Sequence, residues 1–302
     1  MSEPQSKNIL ITGASGMIGS ALVEYLSKSG FVVHQLSRHS TDLPFYYEAA
    51  AGLVHLDPSV PLLAVVNLAG PSIADKRWSE TRKREILDSR QQLTHALAVA
   101  LAESDSKPRS FLSASAIGFY GETGESSVDE NSPAGSDFLA EVALAWEGAT
   151  APAEAAGINT IHLRFGIVLS PEGGVLKKLL LPFKLGLGGR IGSGQQGMSW
   201  ISIADVMQIV HRLISDNPKS GPINLVAQDP ISNLDFSAHL GQSLHRPHFM
   251  PLPGFMVKLL FGEMGEALLL GSSRVTSHKL AQLGIQLGYP TLGSALTALL
   301  HP

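Results

Sequence analysis

Gly13, Gly16 and Gly19 stand three residues apart in the run from Thr12 to Gly19. The run follows a short apolar stretch, Asn8 to Thr12, and leads into Ile18, Ala21, Leu22, Tyr25 and Leu26 at helical spacing. In that context Gly13 permits a tight turn. Gly16 lets the backbone approach a diphosphate, and Gly19 lets the helix pack close to the strand. The anion would rest on the free N–H groups of the helix's first turn. The motif therefore predicts a dinucleotide-binding loop formed by Thr12, Gly13, Ser15, Gly16, Met17, Ile18 and Gly19. The competing reading is a glycine-rich turn with no ligand. A P-loop is excluded, because no Gly-Lys-Ser/Thr follows.

A second signal closes the next apolar run, Phe31 to Leu36. An acid there would bind the ribose 2′-hydroxyl of NAD, but the residues are Ser37 and Arg38. Arg38 can pair with a 2′-phosphate and stack on adenine, and Ser37 can donate a hydrogen bond, which favours NADP(H). A solvated surface arginine is the alternative. Third, the turn Asn67, Leu68, Ala69, Gly70 ends another strand with small residues that leave room for the adenosine side of a cofactor; ordinary packing gives the same pattern. Further on, Gly186 to Gly194 is glycine-rich and is followed by Gln195, Gln196 and Trp200. Its amides and Arg190 could hold a phosphate, making Arg190, Gln195 and Trp200 candidate substrate contacts, or the segment is a surface loop. The histidines form no metal pattern: Pro247 interrupts the helix that His245 and His248 would need. No metal is expected. Lys76, Arg77 and Arg82 to Arg84 read as a solvated helix end, with Glu80 spaced to pair with Arg84.

The elements that must position these residues alternate strand and helix. Strands are expected at 8–12, 31–36, 53–56, 64–68, 110–113 and 160–165, with helices at 17–29, 79–102, 138–156 and 204–214. This is the pattern of an α/β, Rossmann-like doubly wound parallel sheet with a smaller, mostly helical C-terminal substrate region. The expected boundaries are 1–245 for the nucleotide-binding domain, with substrate-side insertions from about 170, and 246–302 for a small helical module. The 302 residues are 44% hydrophobic and 16% charged, with a net charge of −4, so neither nucleic acid nor an anionic membrane is expected as partner. The chain has no cysteine, which excludes disulfides and thiolate chemistry and suits a reducing cytoplasm. The polar start shows no secretory leader, and no apolar run is long enough to span a membrane. A small-molecule substrate and a monomer or homodimer are expected.

The glycine motif, the Asn67–Gly70 turn and the run Ser113 to Gly121 resemble an extended short-chain dehydrogenase/reductase. Several stretches resemble, more narrowly, its atypical subgroup of epimerase family proteins, also called nucleoside-diphosphate-sugar epimerases. These are Trp78 to Arg90, Phe138 to Val142 with Trp146 and Glu147, Leu163 to Leu169, Pro182 to Arg190 through Trp200 and Ile201, and the tail from Ser273 to Gly284 and Tyr289 to Leu300. The resemblance implies cofactor binding by the glycine loop, Ser37, Arg38, Leu68 and Ala69. It also implies contacts from Glu85, Arg90 and Val168; read from the residues alone, Glu85 and Arg90 are equally a solvated helix face.

The same resemblance exposes a departure. Extended members pair a serine with a Tyr-x-x-x-Lys motif whose tyrosine is the acid/base. Ser115 stands about where the serine belongs, but the Tyr and Lys positions read Phe138 and Val142. Tyr120 and Glu141 are the nearest substitutes, so Ser115 and Tyr120 are the expected catalytic pair. The relatives' Trp-Ile-His pattern with an Asp pair also reads differently here, as Trp200-Ile-Ser-Ile-Ala-Asp205. Two functions follow from the sequence: an NADP(H)-dependent oxidoreductase or epimerase-like enzyme acting on a small polar, nucleotide-linked substrate, or an NADPH-binding sensor or scaffold with little catalysis.

Overall fold

The apolar runs at the sheet centre are joined by crossover helices, which pair them in parallel and bury both of their faces. The computed structural model describes residues 6–38 and 42–301; the N-terminal residues 1–5 and positions 39–41 and 302 lie outside the described residues. Strand β1 (Asn8–Thr12) leads into α1 (Met17–Lys28) and β2 (Val32–Gln35). A short hairpin follows, β3 (Phe45–Glu48) and β4 (Leu53–Leu56), then β5 (Ala64–Asn67) and the long α2 (Glu80–Glu103). Next come β6 (Ser110–Ala116), α3 (Phe138–Gly148), α4 (Ala151–Ala155) and β7 (Asn159–Phe165). Then follow β8 (Ile167–Leu169), α5 (Gly174–Lys184), β9 (Gly197–Met198), β10 (Trp200–Ser202), α6 (Ile203–Asp216) and β11 (Gly221–Leu225). The chain ends with β12 (Ile231–Ser232), α7 (Asn233–Ser243), α8 (Gly254–Gly265), α9 (His278–Gln282) and α10 (Leu292–Leu300).

The main sheet runs β11-β7-β6-β5-β1-β2, every pair parallel. One face packs residues of α1 and α6, such as Leu22, Leu26, Val206 and Val210, on Ile9, Ile11 and Val66. The other face packs Leu93, Leu97 and Leu101 of α2 on Leu10, Val65 and Phe111. This is the Rossmann-like α/β fold that the strand–helix alternation predicts, and it brings the carboxyl ends of β1, β2, β5 and β6 to one edge.

Two expectations differ from the structure. The run 53–56 is not a third parallel strand: it pairs antiparallel with β3, which the sequence reading missed. The hairpin joins the end of β2 through a single bridge, Ser37 to Tyr46. The helix expected over 138–156 breaks between α3 and α4, where Pro152 in the first turn of α4 has no N–H to donate back to the preceding turn.

The C-terminal residues share cores with the rest of the chain. Leu292, Ala295 and Leu296 of α10 pack with Leu169, Leu176, Trp200 and Phe236. Val275 is fully buried beside Val226 and Tyr120, and it bridges Val128. Among the described residues no helix is long and apolar enough to cross a membrane, and no cluster of three or more His, Asp or Glu could hold a metal ion. A chain ending at residue 245 would expose these apolar faces. It is expected to lose its cooperative thermal unfolding transition, followed by circular dichroism, whereas a compact two-state melt of the truncated chain would show that residues 246–302 are dispensable for folding.

Candidate functional site

The glycine turn is fixed by contacts that leave no room for side chains. A Cβ on Gly13, whose φ is +66°, would lie 2.6 Å from the Leu68 carbonyl oxygen, and one on Gly19 would lie 2.2 Å from that of Gly13. α1 is thereby seated directly against β1 and the 67–70 turn. Gly16 caps α1 with extended backbone and no side-chain acceptor. Its own N–H bonds the Gly13 carbonyl at 3.0 Å. The first-turn amides of Met17, Ile18 and Gly19 find no acceptor among the described residues, and Ser15 and Gly16 are exposed. Such amides form an anion seat. Met17 lies against the start of α5: a Cβ on Gly173 would come within 2.8 Å of its sulfur.

Facing α1, the 67–70 turn is locked from below. Thr12 Oγ1 donates to Asn67 Oδ1 at 2.6 Å and accepts the N–H groups of Leu68 and Ala69, each at 3.2 Å. Asn67 Nδ2 donates to Thr94 Oγ1 at 2.8 Å and to Ser113 Oγ at 3.2 Å, and Trp146 Nε1 donates to the same Thr94 oxygen at 3.0 Å. Arg90 completes the support. Its guanidinium donates to the carbonyls of Ile86 (3.1 Å) and Pro71 (2.9 Å) and lies 4.9 Å from the Trp146 ring. Burial, with Arg82 nearby, pushes its pKa down to about 10. Arg90 thus sits under the exposed Gly70 and holds the turn's shape. Glu85 is exposed, holds Arg82 at 3.0 Å, and lines an open groove of about 490 Å³ with Pro71, Ser89 and Gln92.

At the end of β2, Ser37 pairs through its backbone with the hairpin: its N–H donates to the Phe45 carbonyl and its carbonyl accepts from Tyr47. Arg38 is exposed and makes no hydrogen bond or ion pair among the described residues. Val168 is buried on β8, paired with Ile201 of β10.

Ser115, on β6, and Tyr120, just after it, are both buried. Ser115 is 2% exposed and Tyr120 is 5% exposed. Ser115 Oγ donates to Glu147 Oε1 at 2.7 Å. Glu147 forms a two-point ion pair with Arg164, Nε to Oε1 at 2.7 Å and Nη2 to Oε2 at 2.8 Å. Arg164 Nη1 donates to the Tyr120 hydroxyl at 2.9 Å, which in turn donates to Asn224 Oδ1 at 2.8 Å. The Asn224 N–H reaches Glu130, whose carboxylate accepts from Ser277 and His278. Burial pushes the Tyr120 hydroxyl above its ordinary range despite Arg164. Burial also opposes ionisation of Glu147, but the Arg164 fork outweighs it and leaves the carboxyl below its ordinary value. The proton of each hydroxyl is donated within this network.

Phe138 and Val142, the residues expected at the Tyr and Lys positions, lie on α3. Phe138 opens α3, capped by Asp137, whose carboxylate accepts the Ala140 N–H at 2.9 Å. Its ring meets Trp78 edge-on at 5.0 Å, and Lys83 Nζ lies 5.3 Å from its centroid. Lys83 pairs with Glu263 of α8 at 2.6 Å, and Arg77 donates to the Leu259 carbonyl at 3.3 Å. This basic run, expected as a solvated helix end, is instead tied to α3 and α8. Glu80, spaced for Arg84, pairs instead with Lys83 at 3.7 Å. Val142 is buried and Glu141 exposed. On the substrate side, Trp200 is 2% exposed and belongs to the core, its Nε1 without a partner among the described residues. That burial removes it from the substrate wall. Arg190 and Gln195 are exposed; Arg190 donates to the carbonyls of Gly192 and Ser193 in its own loop, and the Gln195 carbonyl accepts from Arg274.

With this geometry in view, the comparisons are specific. The profile of the NAD dependent epimerase/dehydratase family matches residues 9–225, and that of a domain of unknown function, DUF1731, matches 252–299. An epimerase family protein of Mycobacterium leprae is 38% identical over 291 residues, covering 96% of this chain and 94% of the relative. The human epimerase family protein SDR39U1 is 35% identical over 295 residues, covering 95% and 98%. A crystal structure of that human protein with NADPH superposes with a TM-score of 0.88 at 32% identity, covering 97% of this chain and 98% of the other. A Thermus thermophilus UDP-glucose 4-epimerase complex with NAD shares the fold, with a TM-score of 0.73 at 16% identity and 97% of each chain covered.

The buried ion pair yields a stability test. Glu147→Gln leaves Arg164 buried without its counter-charge and is expected to cost about 3 kcal/mol at neutral pH, read from urea unfolding. Because the folded carboxyl titrates below its ordinary value of 4.5, its contribution is present above that pH and lost as pH falls through the folded value. The gap between wild type and variant therefore narrows in acid; a gap that is small at pH 7, or that grows in acid, would refute the assignment.

Proposed function

The chain belongs to the NAD dependent epimerase/dehydratase family, and on that premise we propose that it is an NADP(H)-binding, epimerase-like oxidoreductase acting on a small polar, nucleotide-linked substrate. The observation that carries the reading is the open seat of first-turn amides at Met17, Ile18 and Gly19, set against the Leu68–Ala69 turn. The places a Cβ would fill are those where Gly13 closes on the Leu68–Ala69 turn and Gly19 on the Gly13–Ala14 backbone, while Ser15 and Gly16 stay exposed. The NADPH in the human relative's crystal structure supports the choice of ligand.

In this reading the amides of α1 hold the diphosphate. Arg38, exposed and unengaged among the described residues, meets the 2′-phosphate, with Ser37 beside it. Leu68, Ala69 and Gly70 bound the adenosine side, and Glu85 stands on the groove next to Pro71. Arg90 keeps the turn in place from beneath. Val168 closes the site behind the start of α5. A nicotinamide bound there supplies hydride exchange with a substrate carbon.

One observation favours a second reading, a cofactor-binding protein with little catalysis. Phe138 has no ionisable group, and Ser115 and Tyr120 are bonded to protein partners. Loss of a positioned acid/base costs ~10²–10⁴ in rate when nothing replaces it.

Fluorescence titration tests cofactor identity. The protein is expected to bind NADPH more tightly than NADH by about 1 kcal/mol or more, the scale of a charge-assisted hydrogen bond. Arg38→Ala should abolish that preference. Equal affinity for both nucleotides in the wild type would remove Arg38 from its role.

A further inference from the structure

The five most exposed large hydrophobic side chains among the described residues fall on one connected region, each between 65% and 76% exposed. Leu181 lies on α5 and Leu185 caps it, Phe249 stands on the strap that leads to α8, and Phe255 and Leu259 lie on α8 itself. The strap runs alongside the end of α5: the Met250 N–H donates to the Gly188 carbonyl at 3.1 Å, and that of Leu252 to the Arg190 carbonyl at 2.9 Å. Both helices grip the same 71–78 loop, α5 through Lys178 to the Ala74 carbonyl (3.0 Å) and α8 through its Leu259 carbonyl to Arg77 (3.3 Å). Apolar faces of this kind mark a contact with a protein or a membrane.

The same face carries basic groups that no acid among the described residues neutralises. Lys177, Leu181, Lys184 and Leu185 recur at helical spacing, so lysines and leucines interleave on the outer side of α5, whose inner side buries Leu176 and Phe183. Lys177 Nζ donates to the Glu172 carbonyl at 3.1 Å, and the Lys184 side chain makes no hydrogen bond or ion pair among the described residues. Arg246 is exposed and its side chain is equally unengaged. It precedes Pro247, whose ring lies 3.9 Å from where a Cβ on Gly186 would stand. The acids that border the face, Asp75, Glu263 and Glu266, are each held by a lysine, at 3.6, 2.6 and 2.6 Å. Glu172 stands at the far end of α5 from Lys184.

We propose that this face docks on the surface of a bilayer that carries anionic phospholipids. Leucine and phenylalanine side chains that project from the protein enter the boundary between headgroups and acyl chains. Lysines interleaved with them reach the phosphates while their alkyl stems lie along the apolar layer. The positive surplus is local, on a chain whose net charge of −4 by itself argues against an anionic membrane. A second copy of the chain is a poorer occupant, because it would bring the same unneutralised cations to the contact. No helix among the described residues is long and apolar enough to cross a membrane, so the contact is peripheral.

Flotation of the full chain with lipid vesicles tests the proposal. The wild type should rise with phosphatidylcholine vesicles that contain about 30% phosphatidylglycerol, and should bind pure phosphatidylcholine at least about tenfold more weakly. Raising sodium chloride from about 0.05 to about 0.5 M should release it. Lys177→Gln with Lys184→Gln should weaken binding to the anionic vesicles at least about tenfold, at about fivefold for each charge. Leu181→Ser with Leu259→Ser should also weaken it at least about tenfold. A control variant, Leu144→Ser with Lys219→Gln, changes an exposed leucine and an exposed lysine elsewhere and should leave binding unchanged. Circular dichroism melts confirm that all three variants are folded. A wild type that fails to float with the anionic vesicles overturns the proposal, and sedimentation velocity of the lipid-free chain then shows whether a second copy covers the face instead. Equal binding to neutral and anionic vesicles also overturns it, as does a loss in the control variant as large as that in the lysine variant.

Discussion

At Gly19 the first helix touches the turn that feeds it, and at Gly13 that turn touches the end of β5. Added methyl groups would sit 2.2 Å and 2.6 Å from backbone carbonyl oxygens, distances that atoms do not adopt. The helix therefore stands where only glycine allows it, and its first amides open at the carboxyl edge of the sheet. An ordinary residue at either place would push α1 outward and carry those amides away from the Leu68–Ala69 turn. The opening of these first-turn amides is thus a consequence of backbone packing more than of any side chain. The side chains nearby, Thr12, Asn67, Thr94 and Arg90, hold the opposing turn at that distance.

A second buried chain of polar groups does for the far half of the edge what Thr12 and Asn67 do for the near half. It runs from Ser115 through Glu147, Arg164, Tyr120 and Asn224 to Glu130, and it ends on the backbone and side chain of residues 276–278. Each member satisfies its neighbour, the condition under which buried polar groups are tolerated. The C-terminal segment is consequently tied to β6 and β7 by charge as well as by the packing of Val275. Ser115, at the place of the family's serine, and Tyr120, the substitute nearest to it, are both hydrogen-bonded within this chain of groups.

What the sequence revealed divides along the range of the interactions. β1, the glycine turn and α1 are contiguous, so spacing alone reads them. The run at 53–56 has the look of a buried parallel strand, yet its partner is decided by register with Phe45–Glu48, and only the alternation of Phe45 and Tyr47 toward the core hints at that strand. Ser115 is claimed by Glu147 and Tyr120 by Arg164, residues 32 and 44 positions away. Lys83 reads as solvated because its neighbours are charged; its partners Phe138 and Glu263 arrive from α3 and α8. Trp200 lies next to a glycine-rich loop in sequence but is taken into the core by Phe236 and α10. Burial of polar and aromatic residues by distant elements left no local trace.

The replacement at Phe138 has a physical logic that the missing hydroxyl alone does not convey. A tyrosine acid/base needs a cation near its oxygen to lower its pKa and a path for the proton. Here the cation, Lys83, lies against the ring of Phe138 and is bound by Glu263, while Trp78 meets the same ring edge-on. Cation and aromatics in this arrangement attract through the ring's quadrupole, which requires no ionisable group on the ring. The corner between α2 and α3 is therefore stabilised as a packed cluster, and α8 is anchored to it by the same lysine. An ionisable tyrosine at this place would bring a phenolate into competition with Glu263 for Lys83, so the cluster and a tyrosine-based proton relay are alternative uses of one position.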